Sequence, residues 1–138
     1  MVAPRVFIDT NVLVSAVLFG GPPAAVVDAA RTGALHAAVS LHVLGEFRDV
    51  LARPRFGVEP EVADMLAEEI ASFCEVMPIE RSQARWGPDP DDDPVIEAAL
   101  MFRATAIVTG DAHLLGVRVS GLVTLTPAPA VERWSLQR

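Results

Sequence analysis

A short apolar run that ends in three polar residues places the strongest constraint on the fold. Residues 6–8 (Val-Phe-Ile) favour a buried β-strand, and residues 9–11 (Asp-Thr-Asn) follow before apolar residues resume. Thr10 or Asn11 is suited to cap a helix that begins directly after the strand. In an open α/β sheet, ligands bind at the carboxyl ends of the strands, and a carboxylate there costs stability unless a cation satisfies it. Asp9 is therefore the first candidate for a metal ligand.

The length and composition predict a single domain over residues 1–138. About half of the residues are hydrophobic (51%), which is enough for one core in a chain of 138 residues. No apolar run reaches the length of a bilayer span, and the first residues lack the basic region and cleavage site of a signal peptide. We therefore expect a cytoplasmic protein that has no membrane partner.

The charged residues and the cysteine exclude several kinds of site. The net charge of −7 argues against broad electrostatic binding of nucleic acid, unless divalent cations cancel clustered acids. All 11 basic side chains are arginine, so a Walker-type phosphate loop and a lysine Schiff base are excluded. The absence of lysine also tells against receiver domains and haloacid-dehalogenase-like phosphatases. Cys74 is the one cysteine, which excludes an internal disulfide and a cysteine-based zinc site, and we expect it to fill core space.

Apolar periodicity and helix-breaking residues predict strands that alternate with helices. We expect strands at residues 6–8, 35–40, 76–79, 106–109 and 123–125. Helices are expected at residues 10–19, 23–31, 41–53, 60–74 and 94–104, with a polar loop over 80–93, a helical turn from Asp111 and one or two turns after residue 127. The face of the 60–74 helix that is expected to be buried contains Val62, Leu66, Ile70 and Phe73. This alternation predicts an α/β sandwich with a largely parallel sheet.

Two further acids occupy positions that such a fold can bring beside Asp9. Glu46 lies at the edge of the apolar arc of the 41–53 helix, where the alternative is an ordinary boundary glutamate. Asp111 follows the 106–109 strand, although it could merely cap the helical turn that comes next. Glu46 and Asp111 are therefore candidates for metal ligands, and the alternative of a purely structural role stays open for each.

A run of three aspartates supplies the remaining candidate. Asp93 lies on the same helical stripe as Ile96 and therefore faces inward. The alternative is an ordinary helix start, because an aspartate at the N-cap followed by Pro94 is a common arrangement. A simple cap does not require three consecutive aspartates, so we favour Asp93 as a ligand and Asp92 as its nearest substitute.

Together these acids predict a divalent metal site. In a doubly wound sheet, Asp9, Glu46, Asp93 and Asp111 would all point into one crevice. Four clustered carboxylates cannot all stay ionised without cations between them. Oxygen ligands favour Mg²⁺ or Mn²⁺ over zinc, and His113 has no second histidine at a ligand spacing, so we expect it at the surface or in support of the site. The chemistry that becomes available is hydrolysis of a phosphodiester by metal-activated water.

The ordered acidic segments resemble those of PIN-domain proteins. The segments are Asp9-Thr10-Asn11-Val12, Ser40 to Glu46, Asp91-Asp92-Asp93 leading into Ile96-Glu97-Ala98-Ala99, and Ile107-Val108-Thr109-Gly110-Asp111. The resemblance extends from about residue 5 to residue 125 and is closest to the VapC-like toxins of prokaryotic toxin–antitoxin systems. It implies a three-layer α/β/α sandwich with a twisted, mainly parallel sheet of five strands.

The resemblance also implies roles for individual residues. The metal ligands and catalytic acids would be Asp9, Glu46, Asp93 and Asp111, and the supporting residues would be Asn11, Thr109 and Asp92. The implied activity is Mg²⁺- or Mn²⁺-dependent cleavage of RNA that leaves a 5′-phosphate and a 3′-hydroxyl. Pro94 departs from many relatives, so the ligand among residues 91–93 stays open. The alternative functions are a catalytically silent PIN-like module that binds RNA or protein, and a phosphohydrolase that acts on small phosphate esters.

An RNA substrate requires basic or aromatic side chains near the crevice. Arg81, Arg85 and Trp86 could contact phosphate and stack on bases, or they could belong to a surface loop that the tryptophan pins to the core. A second basic group, which could equally be a solvated helix end, contains Arg48, Arg53 and Arg55. The apolar helix faces exceed what one small core needs, which indicates a homodimer or a docked antitoxin protein.

Overall fold

The computed structural model describes residues 2–82, 85–87 and 89–137. Over these residues one sheet contains five strands, which are β1 (Arg5–Ile8), β2 (His36–Ser40), β3 (Glu75–Met77), β4 (Ala106–Val108) and β5 (Val123–Leu125). The strand order is β3-β2-β1-β4-β5, and every neighbouring pair is parallel. The mainly parallel five-stranded sheet is therefore confirmed.

Helices connect the strands and cover the sheet in a three-layer α/β/α arrangement. In the described residues they are α1 (Thr10–Leu18), α2 (Gly21–Thr32), α3 (Leu41–Leu51), α4 (Pro60–Phe73), α5 (Asp93–Phe102), α6 (Ala112–Leu115) and α7 (Pro127–Arg133). A 3₁₀ turn at Pro90–Asp92 precedes α5 and lies within the loop that was expected over residues 80–93. Residues 83, 84 and 88 of that loop lie outside the described residues.

The helix ends follow from local side-chain chemistry. The Asp9 carboxylate accepts a hydrogen bond from the Thr10 N–H and caps α1, so the expectation that Thr10 or Asn11 is the cap was wrong. Helix α2 begins at Gly21, two residues earlier than expected, because prolines fit the first turn of a helix. It ends at Gly33, whose φ of 87° suits glycine.

Strand β1 is the central strand of the sheet, which explains why residues 6–8 are all apolar. Val6, Phe7 and Ile8 of β1 are fully buried, as expected for a parallel strand that is covered on both faces. Helix α5 packs against β1 and β2, while α1 packs against α2 and α3. Among the described helices none is long and apolar enough to cross a membrane alone; α1 and α2 together meet the length and composition criteria but are bent by 106°.

The buried face of α4 differs from the predicted one. Val62 is 46% exposed, whereas Ala63, Ala67 and Ile70 are buried. Leu66 and Phe73 are only partly buried against the core. The helix is therefore rotated relative to the prediction, because the small alanine side chains allow it to approach α3 and the larger side chains then flank the contact.

Cys74 follows α4 directly and is buried, as expected for a core-filling residue. Burial raises the pKa of its thiol to about 12. Because the thiolate is the reacting species, we expect iodoacetamide to modify the native protein at pH 8 at least about 100-fold more slowly than the unfolded protein. Mass spectrometry after timed labelling, with and without guanidinium chloride, measures this ratio. Rapid labelling of the native protein would contradict the buried placement.

Candidate metal centre

The order in which strands are added to the sheet reverses between β1 and β4. From β1 the chain moves outward to β2 and β3, and it then returns to β4 on the other side of β1. Such a switch point leaves a crevice at the carboxyl ends of the two strands. Asp9 directly follows β1, and its N–H donates to the Val108 carbonyl of β4 at 3.0 Å. Asp111 follows β4 closely, so both acids lie at this crevice.

Asp9 is buried and accepts hydrogen bonds only from neutral groups among the described residues. Its donors are the Thr10 N–H at 2.8 Å, the Thr109 hydroxyl at 2.8 Å and the Asn11 amide at 3.4 Å. Burial is the main influence and raises the Asp9 pKa, although the bonds from Thr109 and Thr10 oppose it. The carboxylates of Glu46 and Asp111 raise the pKa further. The charged form of Asp9 therefore favours a nearby cation.

Side chains that follow β1 and β4 form hydrogen bonds at the carboxyl ends of these two strands. The Asn11 amide oxygen accepts from the Gly110 N–H at 2.7 Å, and the Thr109 hydroxyl accepts from the Asp111 N–H at 3.0 Å. A Cβ atom at Gly110 would lie 3.3 Å from the Asn11 oxygen, so a glycine permits this close approach. Asn11 and Thr109 thus fix the positions of the acids that the sequence predicted them to support.

Replacing Thr109 by valine tests this arrangement. Valine keeps the shape but removes both the hydroxyl donor to Asp9 and the acceptor for the Asp111 N–H. We expect the affinity for Mn²⁺ to fall about 10- to 100-fold, which is the usual loss when a group that orients a ligand is removed. Isothermal titration calorimetry measures the change. Thr109→Ser keeps the hydroxyl and should stay near the wild-type affinity; an equal loss in both variants would contradict the role of the hydroxyl.

Glu46 approaches the same crevice from α3. Its side chain is 50% exposed, and its Oε1 atom accepts from the Thr10 hydroxyl at 3.0 Å and lies 3.2 Å from His42 Nε2. The hydrogen bond with His42 is the main cause that lowers the Glu46 pKa and raises the His42 pKa. Sequence reasoning missed His42, although its i,i+4 spacing from Glu46 was a usable signal.

One cavity of about 350 Å³ joins most of the acids. The acids on its wall are Asp9, Glu46, Asp91, Asp92 and Asp111. Asp93, which the sequence favoured over Asp92, is not among the described residues that line this cavity. The structure therefore brings Asp9, Glu46 and Asp111 together and adds Asp92 to them.

Asp92 is a buried acid on this wall, and no hydrogen bond from the described residues reaches its carboxylate. It is 6% exposed. Burial, followed by the negative charges of Asp111, Asp89 and Asp9, raises the Asp92 pKa to about 6, while the charge of His113 opposes this rise. A buried carboxylate in these surroundings is costly unless a cation neutralises it.

Asp93 instead holds the preceding loop. It is 1% exposed, and its Oδ1 atom accepts from the N–H groups of Trp86 at 2.9 Å and Gly87 at 3.1 Å. Its Oδ2 atom lies 3.1 Å from Arg85 Nε. The inward orientation that the sequence predicted is present, but the carboxylate is occupied by loop contacts.

Comparison with known proteins identifies the family. Residues 5–113 match the family model described as the PIN domain. The chain belongs to the PIN domain family. A chain in the crystal structure of VapBC2 from Rickettsia felis, bound to a DNA fragment from its promoter, has a similar fold, with a TM-score of 0.61 and 15% identity over 88% of this chain and 98% of that chain. No curated protein matches the chain.

In this PIN domain a second, larger cavity of about 760 Å³ lies beside the first. Glu46 and Asp91 line both cavities. The wall of the larger one also contains Asp93, Arg81 and Arg85. Trp86 is exposed but is not among the described residues on that wall. The two arginines are thus placed next to the acids, whereas the indole is placed elsewhere.

The second basic group that the sequence offered lies in other contacts. Arg48 lies 3.7 Å from Asp64, and the Arg55 guanidinium stacks on the Phe56 ring at 4.7 Å. Arg53 is close enough to contribute to the lowered Glu46 pKa. Arg81 and Arg85 are the better placed candidates for phosphate contacts in the described part of the chain, because they lie on the wall of the larger cavity beside the acids.

Proposed function

We propose that this PIN domain is a Mg²⁺- or Mn²⁺-dependent endoribonuclease that acts as the toxin of a toxin–antitoxin pair. The observation that carries the proposal is the cavity wall on which Asp9, Glu46, Asp92 and Asp111 meet at the switch point of the sheet. Membership of the PIN family supports a nuclease assignment, and the geometry supplies the acidic centre that such chemistry needs.

The residues present fit a hard divalent cation. All four acids offer oxygen atoms, which Mg²⁺ and Mn²⁺ prefer. Burial raises the pKa of Asp9 and of Asp92, and a bound cation would offset the cost of ionising both groups. We assign Asp92 rather than Asp93 as the third ligand, because the Asp93 carboxylate already accepts two N–H groups and lies beside Arg85.

The protein side chains would orient the reacting groups. The acids on the cavity wall would hold the ion, which would supply Lewis acidity towards water and towards the negative charge on the phosphate and the departing oxygen. Thr10 and Thr109 hold Asp9, and Thr10 together with His42 holds Glu46, so the ligands are fixed before substrate binds. Hydrolysis of the P–O bond would leave a 5′-phosphate and a 3′-hydroxyl. Arg81 and Arg85 on the adjacent wall would attract the RNA backbone.

An antitoxin protein and a second copy of the chain are the proposed protein partners. Support comes from the fold likeness to a chain in the VapBC2 structure and from exposed apolar side chains at Val17, Phe19 and Met65. A cytoplasmic location accompanies this proposal, because its substrate is RNA.

Incubation of the purified protein with end-labelled single-stranded RNA tests the function. We expect cleavage with Mg²⁺ or Mn²⁺, no cleavage with EDTA, and a loss of at least about 100-fold in Asp9→Asn. Asp49→Asn, which changes an exposed acid on α3, is the matched control and should cleave normally. Cleavage that survives both EDTA and Asp9→Asn would contradict the proposal.

Two other results would identify the alternative functions. Retention of RNA on a filter without any cleavage would favour a catalytically silent binding module. Hydrolysis of p-nitrophenyl phosphate with RNA left intact would favour a phosphohydrolase of small esters.

A further inference from the structure

Phe19 is a large apolar side chain that stays exposed at the corner between α1 and α2. It is 75% exposed, and its N–H donates to the Ser15 carbonyl at 2.9 Å where α1 ends. Gly20 and Gly21 follow with φ angles of 74° and 65°, a conformation that residues with a Cβ atom rarely adopt. The two helices are bent by 106° at this point. The corner therefore keeps the Phe19 ring out of the core.

The Phe19 ring lines the cavity of about 350 Å³ that contains the proposed catalytic acids. Asn11, Ser15 and Phe19 follow one another at intervals of four residues and all line this cavity, so one face of α1 leads from the acids to the ring. The apolar residues of the cavity, which we call the apolar wall, are Val14, Phe19, Val50, Phe56, Val95 and Leu114. The cavity thus has an acidic part and an apolar part.

The other exposed apolar side chains near α1 face elsewhere. Val17 lines a separate cavity between α1, α2 and α4, and Met65 lies on α4. Among the large apolar side chains that are exposed in the described residues, Phe19 is the one on the wall of the acidic cavity. Its exposure is therefore tied to the proposed reaction site rather than to the groove beside α4.

An apolar wall next to a phosphate site suits a nucleobase. A phosphodiester that is held at the acids is joined to a nucleoside on each side, and every base has a flat π-face that stacks on an aromatic ring. The Arg55 guanidinium lies over the Phe56 ring at 4.7 Å, so a cation that can attract phosphate adjoins this wall. Phosphate and base thus both have complementary surfaces in one cavity.

We propose that Phe19 stacks on one unpaired base of the RNA, at a set distance from the bond that is cleaved. This inference deepens the proposed function, on which the RNA substrate rests. Asp9 and Phe19 flank the 9 residues of α1, so at about 1.5 Å of rise per residue roughly 15 Å of helix axis separate them. The stacked base therefore lies farther along the strand than the scissile phosphate, and Phe19 is a specificity-determining residue.

Moving an abasic nucleotide along a short single-stranded RNA, one position at a time, tests this contact. We expect one abasic position away from the cleaved bond to lower kcat/KM of the wild type about 5- to 100-fold, the usual effect of losing one stacked base. Phe19→Ala should lower kcat/KM on intact RNA by a similar factor, and the abasic position should then cause no further loss. Independent, additive losses would overturn the proposal. So would normal cleavage by Phe19→Ala, which would leave the apolar wall to a protein segment.

Two further variants separate stacking from simple apolar contact. Phe19→Leu keeps an apolar side chain without a π-face and should lose nearly as much activity as Phe19→Ala, whereas Phe19→Trp should cleave at least as well as the wild type. Full activity in Phe19→Leu would overturn the proposal. Met101→Ala is the matched control, because Met101 is 52% exposed near the end of α5 that is remote from Asp93. It should cleave normally, and an equal loss in this control would overturn the assignment to Phe19.

Binding measured without cleavage separates this inference from the proposed function. Because Asp9→Asn should leave RNA intact, fluorescence anisotropy of a labelled RNA measures binding alone in this variant. Adding Phe19→Ala should raise Kd about 5- to 100-fold for intact RNA and leave Kd unchanged for the RNA with the critical abasic position. This result in a protein whose wild type cleaves no RNA would support the stacking contact and contradict the nuclease. Cleavage that is insensitive to Phe19→Ala would support the nuclease and overturn the contact, and neither cleavage nor binding would overturn both.

Discussion

Replacing Asp92 by asparagine should abolish metal-dependent RNA cleavage and, at the same time, stabilise the metal-free protein. The activity should fall at least about 100-fold, because the carboxylate that we propose as the third metal ligand is lost from the cavity wall. The stability should rise because the Asp92 side chain is 6% exposed and its charge lies near the negative charges of Asp111, Asp89 and Asp9. Cleavage assays with Mn²⁺ and thermal melts in EDTA measure the two effects on one preparation.

The gain in stability should depend on pH in a defined direction. The Asp92 pKa rises from 3.8 to about 6 on folding, so between these values the folded state holds a proton that the unfolded state has released. The contribution of Asp92 to stability therefore falls as pH rises through this window and stays low above it. At pH 7 asparagine should add on the order of 1–3 kcal/mol, since one pKa unit corresponds to about 1.4 kcal/mol, and near pH 4 most of this difference should disappear.

Asp91→Asn is the matched control for this prediction. Asp91 is the neighbouring acid, but it is exposed, so the melting temperature in EDTA should change little. If Asp92→Asn melts at the wild-type temperature at pH 7, the carboxylate carries no electrostatic cost in the metal-free protein. If it also cleaves RNA normally, Asp92 is not a ligand.

Much of the fold could be predicted because local and global signals agree along this chain. The β-favouring run at residues 6–8 is fully buried, and the break at residues 9–11 marks the carboxyl end of β1. The alternation of strands and helices then fixes a parallel sheet, whose switch point brings Asp9 and Asp111 to one crevice. These features can be predicted from the hydrophobic period of each strand or helix and from the residues that begin or end it.

The parts that could not be predicted depend on small rotations and on distant backbone groups. Asp92 and Asp93 are adjacent, and about 100° of helical rotation separates their side chains. A 3₁₀ turn precedes α5, and the N–H groups of residues 86 and 87 donate to Asp93, so these two features determine which aspartate faces the cavity. No sequence period indicates either feature. The face of α4 was missed for a similar reason, since its alanines permit a close contact that hydrophobicity alone does not indicate.

Replacing Asp93 by alanine should destabilise the protein by about 2–3 kcal/mol. The change removes the acceptor for the Trp86 and Gly87 N–H groups at a nearly inaccessible position, and each unsatisfied group costs on the order of 1 kcal/mol or more. Loss of the ion pair between Asp93 and Arg85 adds little to this destabilisation, because the Arg85 side chain is 66% exposed. Urea denaturation measures the change.

Asp93→Asn separates this structural role from metal binding. Asparagine keeps the Oδ1 acceptor for the two N–H groups, so the loss of stability should be about 1 kcal/mol or less. The folded variant should bind Mn²⁺ and cleave RNA within a few-fold of the wild type, unlike Asp92→Asn. A variant that is as stable as the wild type but has lost Mn²⁺ binding would show that Asp93 is the third ligand, and the assignment of Asp92 to that position would then be wrong.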